Sequence, residues 1–323
     1  MSLILPLIAI GVDIAKAEFD VARLADGKYR HKKFDNTPAG FALFAAWLAG
    51  FGDEAPHLCM EATGAYSLPL AEYLAGQGIL VSVVNPAKVA AFGKSELSRA
   101  KTDKADAKRI ARYCLAMRPA PWTPPPPEIR ELQTLLRRAE QLQKMERMEQ
   151  NRLDTADPAV AGSIKAVLTT LEKELKDTQE KIRRHVDGTP GLKSRSGLLE
   201  SIPGVGKATA AWLLTLLSEH YGFGDAKQAA AHAGLAPVIR QSGQWVGQTR
   251  ISKTGDPLAR KALYMPMLSA WQHNSALRAF CERLKANGKS GKAVACAAMR
   301  KLLHIAFAIL KSGKPFDPNL GLA

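Results

Sequence analysis

The chain is poor in the residues that most readily announce a chemistry. Its four cysteines, Cys59, Cys114, Cys281 and Cys296, are far apart and form no CxxC pair. That spacing favours buried free thiols over a disulfide framework or a zinc site, and each thiol lies in an apolar or helical context. Seven histidines are scattered without an HxxxH or HxE pair, so neither a histidine zinc site nor a triad is suggested. Gly64, Gly76 and Gly78 make no Rossmann or Walker fingerprint, and no nucleotide cofactor is expected. Long apolar runs are missing too. MSLILPLIAIGVD lacks a basic n-region and reaches Asp13 too soon for a spanning helix, and no later run reads as long enough to cross a bilayer. A cytoplasmic protein with no membrane partner is expected. Acid is also scarce: 30 Asp and Glu stand against 45 Lys and Arg, a net charge of +15. So basic a chain ordinarily meets a polyanion, nucleic acid first.

What is present is globular, with 46% hydrophobic and 23% charged residues. The 323 residues give room for two domains and a connector. In residues 1–120, LIAIGVDIA, EFDVARLA and YRHKKFDN read as a strand meander with a turn at Asp26-Gly27. A helix entered through Thr37-Pro38 follows, then the strand HLCMEA, a helix over SLPLAEYLAGQG and the buried strand ILVSVVNP. From Ala87 to Met117 the pattern is helical, with an interruption expected near Gly93. A meander followed by alternating helices and strands is the ribonuclease-H-like α/β order, a mixed sheet with helices on its faces.

The proline-rich PAPWTPPPPEIR marks a stiff boundary, and residues 121–195 read as a linker and a helical hairpin. Ile164, Leu168, Leu171, Leu175, Thr178 and Ile182 form a heptad seam, and Ile129, Leu132, Leu136, Ala139 and Leu142 form a similar stripe, parted from it by Asp157-Pro158. The narrow seam between charged faces predicts coiled-coil self-association, against the alternative of an internal helical pair. Residues 196–323 read as a mainly α domain. Its 16 Lys and Arg against 6 Asp and Glu leave +10 of the molecule's excess charge there.

Within this frame four acids stand out. Asp13 ends the first apolar run, Glu61 closes the fourth strand, and Asp103 and Asp106 lie three residues apart in AKTDKADAKRIARYC, on one face of a helix. Carboxylates at strand ends facing carboxylates on a helix make an all-oxygen cage suited to Mg²⁺. Such a cage suits phosphodiester chemistry.

Two basic segments follow. LLESIPGVGKATAAWLL has the pattern of a helix-hairpin-helix, in which Gly204, Gly206 and Lys207 would let a phosphate approach exposed amides and a helix start. An ordinary helix corner would need the same glycines. GLAPVIRQSGQWVGQTRISKTGDPLARKALY reads as a long loop or hairpin offering Arg240, Arg250, Lys253 and Arg260 to nucleic acid. A Ser-Gly such as Ser242-Gly243 in a basic loop is ordinarily a turn, and a nucleophilic role needs further support.

That support comes from resemblance. GVDIAKAEFDVA, MEATGAY, VNPAKVAAFGKSELSRAKTDKADAKRIARY, LESIPGVGKATA and the 234–264 segment occur in this order in the DEDD insertion-sequence transposases, also called bridge-RNA-guided recombinases. The chain resembles that family over nearly its whole length. The resemblance implies a RuvC-like domain whose four acids, here Asp13, Glu61, Asp103 and Asp106, bind Mg²⁺. It also implies a C-terminal transposase domain whose serine nucleophile corresponds to Ser242. It further implies donor and target DNA as partners, with a structured non-coding RNA pairing to both. A homo-oligomer, dimer or tetramer, is expected because two duplexes must be held together. Two other readings stay open: a resolvase-type metal-dependent nuclease in which water attacks, and a non-catalytic nucleic-acid-binding protein.

Overall fold

The computed structural model describes residues 8–52, 56–62, 64–95, 103–239, 241–243, 245–247, 249–252 and 254–318. Arg240 and Lys253 lie outside these, as do the side chains of Ala65, Asp103 and Val246. The chain divides into two compact units, residues 1–124 and 125–323.

The first unit is built on strands β1 (Ala9–Ile14), β2 (Glu18–Ala25) and β3 (Lys28–Asp35), an antiparallel meander. Asp26 (φ 49°) and Gly27 (φ 72°) both adopt the left-handed conformation that a two-residue hairpin with the natural twist requires. Helix α1 (Pro38–Ala49) starts as its sequence dictates: Pro38 fixes the first turn, and the Thr37 side chain accepts from the Gly40 amide at 3.2 Å. Next come β4 (His57–Glu61), α2 (Leu68–Gly76), β5 (Leu80–Val84), α3 (Pro86–Ser95) and α4 (Asp103–Met117). The sheet order is β3-β2-β1-β4-β5, with β4 parallel to both β1 and β5. This is the mixed sheet with flanking helices that the element order predicted. Strand alternation sorts the two faces. Ile10, Val12, Leu58 and Met60 join Phe19, Phe34, Phe41 and Phe44 in one core, while Ala9, Cys59 and Val84 meet Ile110, Tyr113 and Cys114 of α4 in the other. The expected helical stretch is indeed two helices: α3 ends at Ser95, two residues past Gly93, and α4 starts at Asp103. Gly93 itself lies inside α3, where a Cβ would come within 2.6 Å of the Arg109 side chain. The glycine makes room for a neighbour.

The second unit opens with two long helices, α5 (Pro127–Leu153) and α6 (Pro158–Gly188), lying side by side. Asp157 caps α6 by accepting from the Ala159 amide at 2.8 Å, with Pro158 next. Leu168, Leu171, Thr178 and Ile182 of the seam are buried, as are Ile129, Leu132, Leu136, Ala139 and Leu142 of α5. A stripe two residues wide per heptad is covered by one facing helix, and here α5 of the same chain covers it. The seam predicted to pair two copies is therefore consumed inside one. Helices α7 (Pro190–Glu200), α8 (Lys207–Leu216) and α9 (Ala226–His232) follow. Four two-residue strands come next: β6 (Pro237–Val238), β7 (Gln241–Ser242), β8 (Trp245–Val246) and β9 (Arg250–Ile251). Helices α10 (Pro257–His273), α11 (Ser275–Ala286) and α12 (Gly291–Ser312) complete the unit. The base of the α5–α6 pair shares one core with α8, α10 and α12. Helix α12 corrects the reading of the apolar runs: by length and mean hydropathy it could cross a membrane. Arg300 and Lys301 break the run in sequence, and Val294, Ala298, Leu302, Leu303 and Ala306 bury its apolar face in this core.

Candidate functional site

The acidic residues of the first unit are placed by the sheet. β1 and β4 pair in parallel with Val12 beside Met60, so the next residues, Asp13 and Glu61, stand level at neighbouring carboxyl ends. Asp13 shares its face with Gly11, and α4 crosses that face. A Cβ on Gly11 would lie 2.1 Å from the Ala107 carbonyl oxygen and 2.3 Å from the Ala111 nitrogen. Main chain thus rests on main chain, and the first turn of α4, with Asp103 and Asp106, comes to the end of β1. We expect Gly11→Ala to cost about 1–3 kcal/mol or more through overpacking, and to displace α4. A thermal melt of the variant within a few tenths of a degree of wild type would refute the tight contact.

The carboxylates feel each other. Burial, and then the charges of Asp13 and Asp106, push the Glu61 pKa up, with Arg109 partly opposing. Arg109 Nη1 stands 2.6 Å from Asp106 Oδ1, yet no N–H is aimed along that line, and Oδ1 is buried without a hydrogen bond. The guanidinium supplies positive charge to that oxygen, while its hydrogen-bonding capacity stays unfilled among the described residues. The donors are all hard oxygens, which suits Mg²⁺. Among the described residues no three His, Cys, Asp or Glu side chains already converge as a metal group, and the Asp103 side chain falls outside them. Sequence reasoning missed a further acid. Asp20 is the cross-strand partner of Asp13 and is buried, held by His31 at 2.7 Å and Lys33 at 3.4 Å. Its signal was its inward place in the alternation of EFDVARL.

The serine belongs to the second unit. Its four short strands are nested as a hairpin: β6 pairs with β9, and inside it β7 pairs with β8, matching Ser242 to Trp245. Gly243, at φ 56°, provides the left-handed turn residue. Ser242 is exposed, and among the described residues its hydroxyl makes no hydrogen bond. Ser252 differs, because its hydroxyl accepts from the Thr254 amide at 3.3 Å.

The basic candidates separate. Arg250 is exposed beside Val238 in the outer ladder. The guanidinium of Arg260 turns inward, where Nη1 donates to the carbonyls of Ala233, Gly255 and Asp256 at 3.2–3.4 Å. It fills the space over Gly234, whose Cβ would lie 2.3 Å from Nη1. The two strands entering and leaving the hairpin are tied there. Arg260→Ala should therefore raise amide hydrogen exchange at least about tenfold across 237–251 and leave α8 and α12 protected. Unchanged exchange in the hairpin would remove the clamp. At the α7–α8 turn, Gly204 (φ 93°) presses on α10, since a Cβ would lie 2.4 Å from Ala270. Gly206 and Lys207 are exposed at the start of α8, with open space over the glycine.

Comparison with known proteins finds matches in both units. A protein-family model described as "Transposase", of the DEDD type, matches residues 10–156, and one described as "Transposase IS116/IS110/IS902 family" matches residues 196–282. The pilin gene-inverting proteins of Moraxella lacunata and Moraxella bovis are each 33% identical over 315 residues, covering 96% of this chain and 98% of theirs. The insertion element IS110 uncharacterized 43.6 kDa protein of Streptomyces coelicolor is 26% identical over 168 residues, 52% of this chain and 40% of that protein. With an acid-bearing mixed sheet in the first unit and a basic, mainly helical second unit, the chain belongs to the IS116/IS110/IS902 family of DEDD transposases, enzymes that recombine DNA.

Proposed function

We propose that this transposase is a site-specific recombinase in which Ser242 is the nucleophile and Asp13, Glu61, Asp103 and Asp106 hold Mg²⁺. The observation that carries the reading is the level placement of Asp13 and Glu61 under the first turn of α4. The serine Oγ bonds to phosphorus as the bond from phosphorus to the departing deoxyribose oxygen breaks. That oxygen takes up a proton, and the serine proton leaves to a base. A hydroxyl from another strand then reverses the step, so strands are exchanged without net hydrolysis. A bound divalent cation supplies charge neutralisation at the phosphate. The remaining work is the protein's. Arg260 holds the hairpin that presents Ser242, while Lys207, Gly206, Gly204 and Arg250, with Arg240 and Lys253, contact nucleic-acid backbone. The domains we assign are a catalytic region over 1–120, a linker and coiled-coil hairpin over 121–195 and a serine-bearing region over 196–323.

Donor and target are DNA duplexes, and a non-coding RNA pairs with both. Delegating sequence choice to base pairing fits a chain with +15 charge and no evident base-reading module. Since the heptad seam is already covered, assembly into a dimer or tetramer would use other apolar surface. Met145, Met148, Val160 and Val167 are exposed on α5 and α6 towards their connecting turn. Two relatives are named for inverting a pilin gene, and inversion is recombination between two sites of one molecule. The test is reconstitution with Mg²⁺ and two DNA sites, with and without RNA transcribed from the flanking element. Full recombination without RNA refutes the guide. A second reading is favoured by the lack of any base bonded to the Ser242 hydroxyl among the described residues: a resolvase-type endonuclease in which water attacks phosphorus.

A further inference from the structure

Trp245 is out of place. Trp47, Trp122, Trp212 and Trp271 are partly buried and packed on the two main cores, whereas Trp245 is 60% exposed on the hairpin that carries Ser242. An indole in water is unfavourable unless something covers it. The register decides where it stands. Ser242 and Trp245 are direct cross-strand partners, and partners in an antiparallel ladder project to the same side. Hydroxyl and indole are therefore neighbours on one surface.

The ring is also braced. A Cβ on Gly247 would lie 2.3 Å from Cη2 and 2.8 Å from Cζ3 of Trp245, so the ring lies against the Gly247 main chain. Glycine permits that seat, and a seated ring loses little freedom when a ligand arrives. Among the described residues no aromatic or cationic side chain stacks on it. The surrounding segment, residues 234–264, carries five Lys and Arg and a single acid, Asp256. A braced indole, 60% exposed and with no stacking partner among the described residues, in a basic segment matches a nucleobase joined to a phosphate, and fits an apolar protein surface less well.

We infer that Trp245 is the stacking platform for an unpaired nucleobase adjoining the phosphate at Ser242, its place beside the reacting phosphate resting on the reading of Ser242 given above. In a duplex both faces of a base are already stacked, so the platform acts on a strand that has been opened. Every base has a π-face, so it grips without choosing sequence, and it holds the opened nucleotide while its phosphate meets the serine.

The experiment uses the full chain carrying Ser242→Ala, so that the probe is not cut, and a mixed-sequence single-stranded deoxyoligonucleotide bearing one 2-aminopurine, with the matched duplex beside it. Binding should quench the probe. Trp245→Ala should weaken single-strand binding by about five- to 150-fold, the range for one stacked base. Trp245→Phe should recover most of that loss, while duplex affinity and its salt dependence stay as they were. Circular dichroism establishes that the variants fold. Unchanged single-strand affinity in Trp245→Ala overturns the inference, as does a loss confined to self-association in sedimentation. If the stacking effect appears while the wild-type chain never forms a covalent adduct, the Ser242 reading falls and the stacking site stands alone.

Discussion

Labelled DNA incubated with the protein, Mg²⁺ and any required RNA should migrate with the protein on a denaturing gel. A serine hydroxyl that attacks phosphorus leaves a phosphoserine link between chain and strand, whereas attack by water leaves none. Ser242→Ala should erase the band and lower strand exchange by about a thousandfold or more, the scale on which nucleophile deletions act. Ser252→Ala is the control within the same segment. Its hydroxyl serves a local turn by accepting from the Thr254 amide, so the adduct should survive its loss. Cleavage that persists in Ser242→Ala with no adduct trapped from the wild type would replace the recombinase mechanism with the water-attacking nuclease.

The acids should respond in the opposite part of the assay. Alanine at Asp13, Glu61, Asp103 or Asp106 should cut cleavage by more than about a hundredfold and leave DNA and RNA affinity nearly intact, because these groups serve charge at the reacting phosphate. A variant that keeps a tenth or more of wild-type cleavage leaves the set. Glu61 adds a reading free of activity. Its folded pKa is raised, so as pH climbs through its ordinary value of 4.5 the unfolded chain gives up the proton first, and the folded state loses stability. Glu61→Gln cannot titrate. In chelator it should melt above the wild type at neutral pH, by roughly a few degrees, and the gap should close near pH 4. Magnesium should raise the wild-type melt and move the glutamine variant much less. A neutral-pH melt of Glu61→Gln at or below wild type would mean that the carboxylates do not strain one another.

Much of the first unit was legible because its signals are local. Asp26-Gly27 fixes a hairpin whatever surrounds it, Thr37-Pro38 starts a helix, and alternation tells strand from helix. The acids could be named because Asp13 and Glu61 end apolar runs and Asp106 follows Asp103 by three. What brings them together was not legible. Gly11 looks like any glycine until Ala107 of a helix almost a hundred residues on is laid upon it. Asp20 was passed over because its partner in the ladder appears only once register is known. The heptad seam announced a helical pair truthfully, but a stripe does not say whether its cover belongs to the same chain. Arg260 was grouped with phosphate-binding cations on charge alone, although its guanidinium turns to three carbonyls, a choice made by Gly234 and Gly255. Charge is written in composition; the direction in which a side chain turns is written in the neighbours.

The contact at Gly11 also bears on how this site can be altered. The span from β1 to the first turn of α4 is set by main-chain atoms, which every sequence has, and not by the bulk of interdigitated side chains. Substitutions that enlarge or shrink the core under Phe44 or Met60 lie on the other face of the sheet, so they can accumulate without resizing the gap between Asp13 and Asp106. The spacing of these carboxylates is in this sense insulated from drift in the hydrophobic interior, and its tolerance hangs on one codon. For an engineer, position 11 is closed and the face bearing the phenylalanines is open.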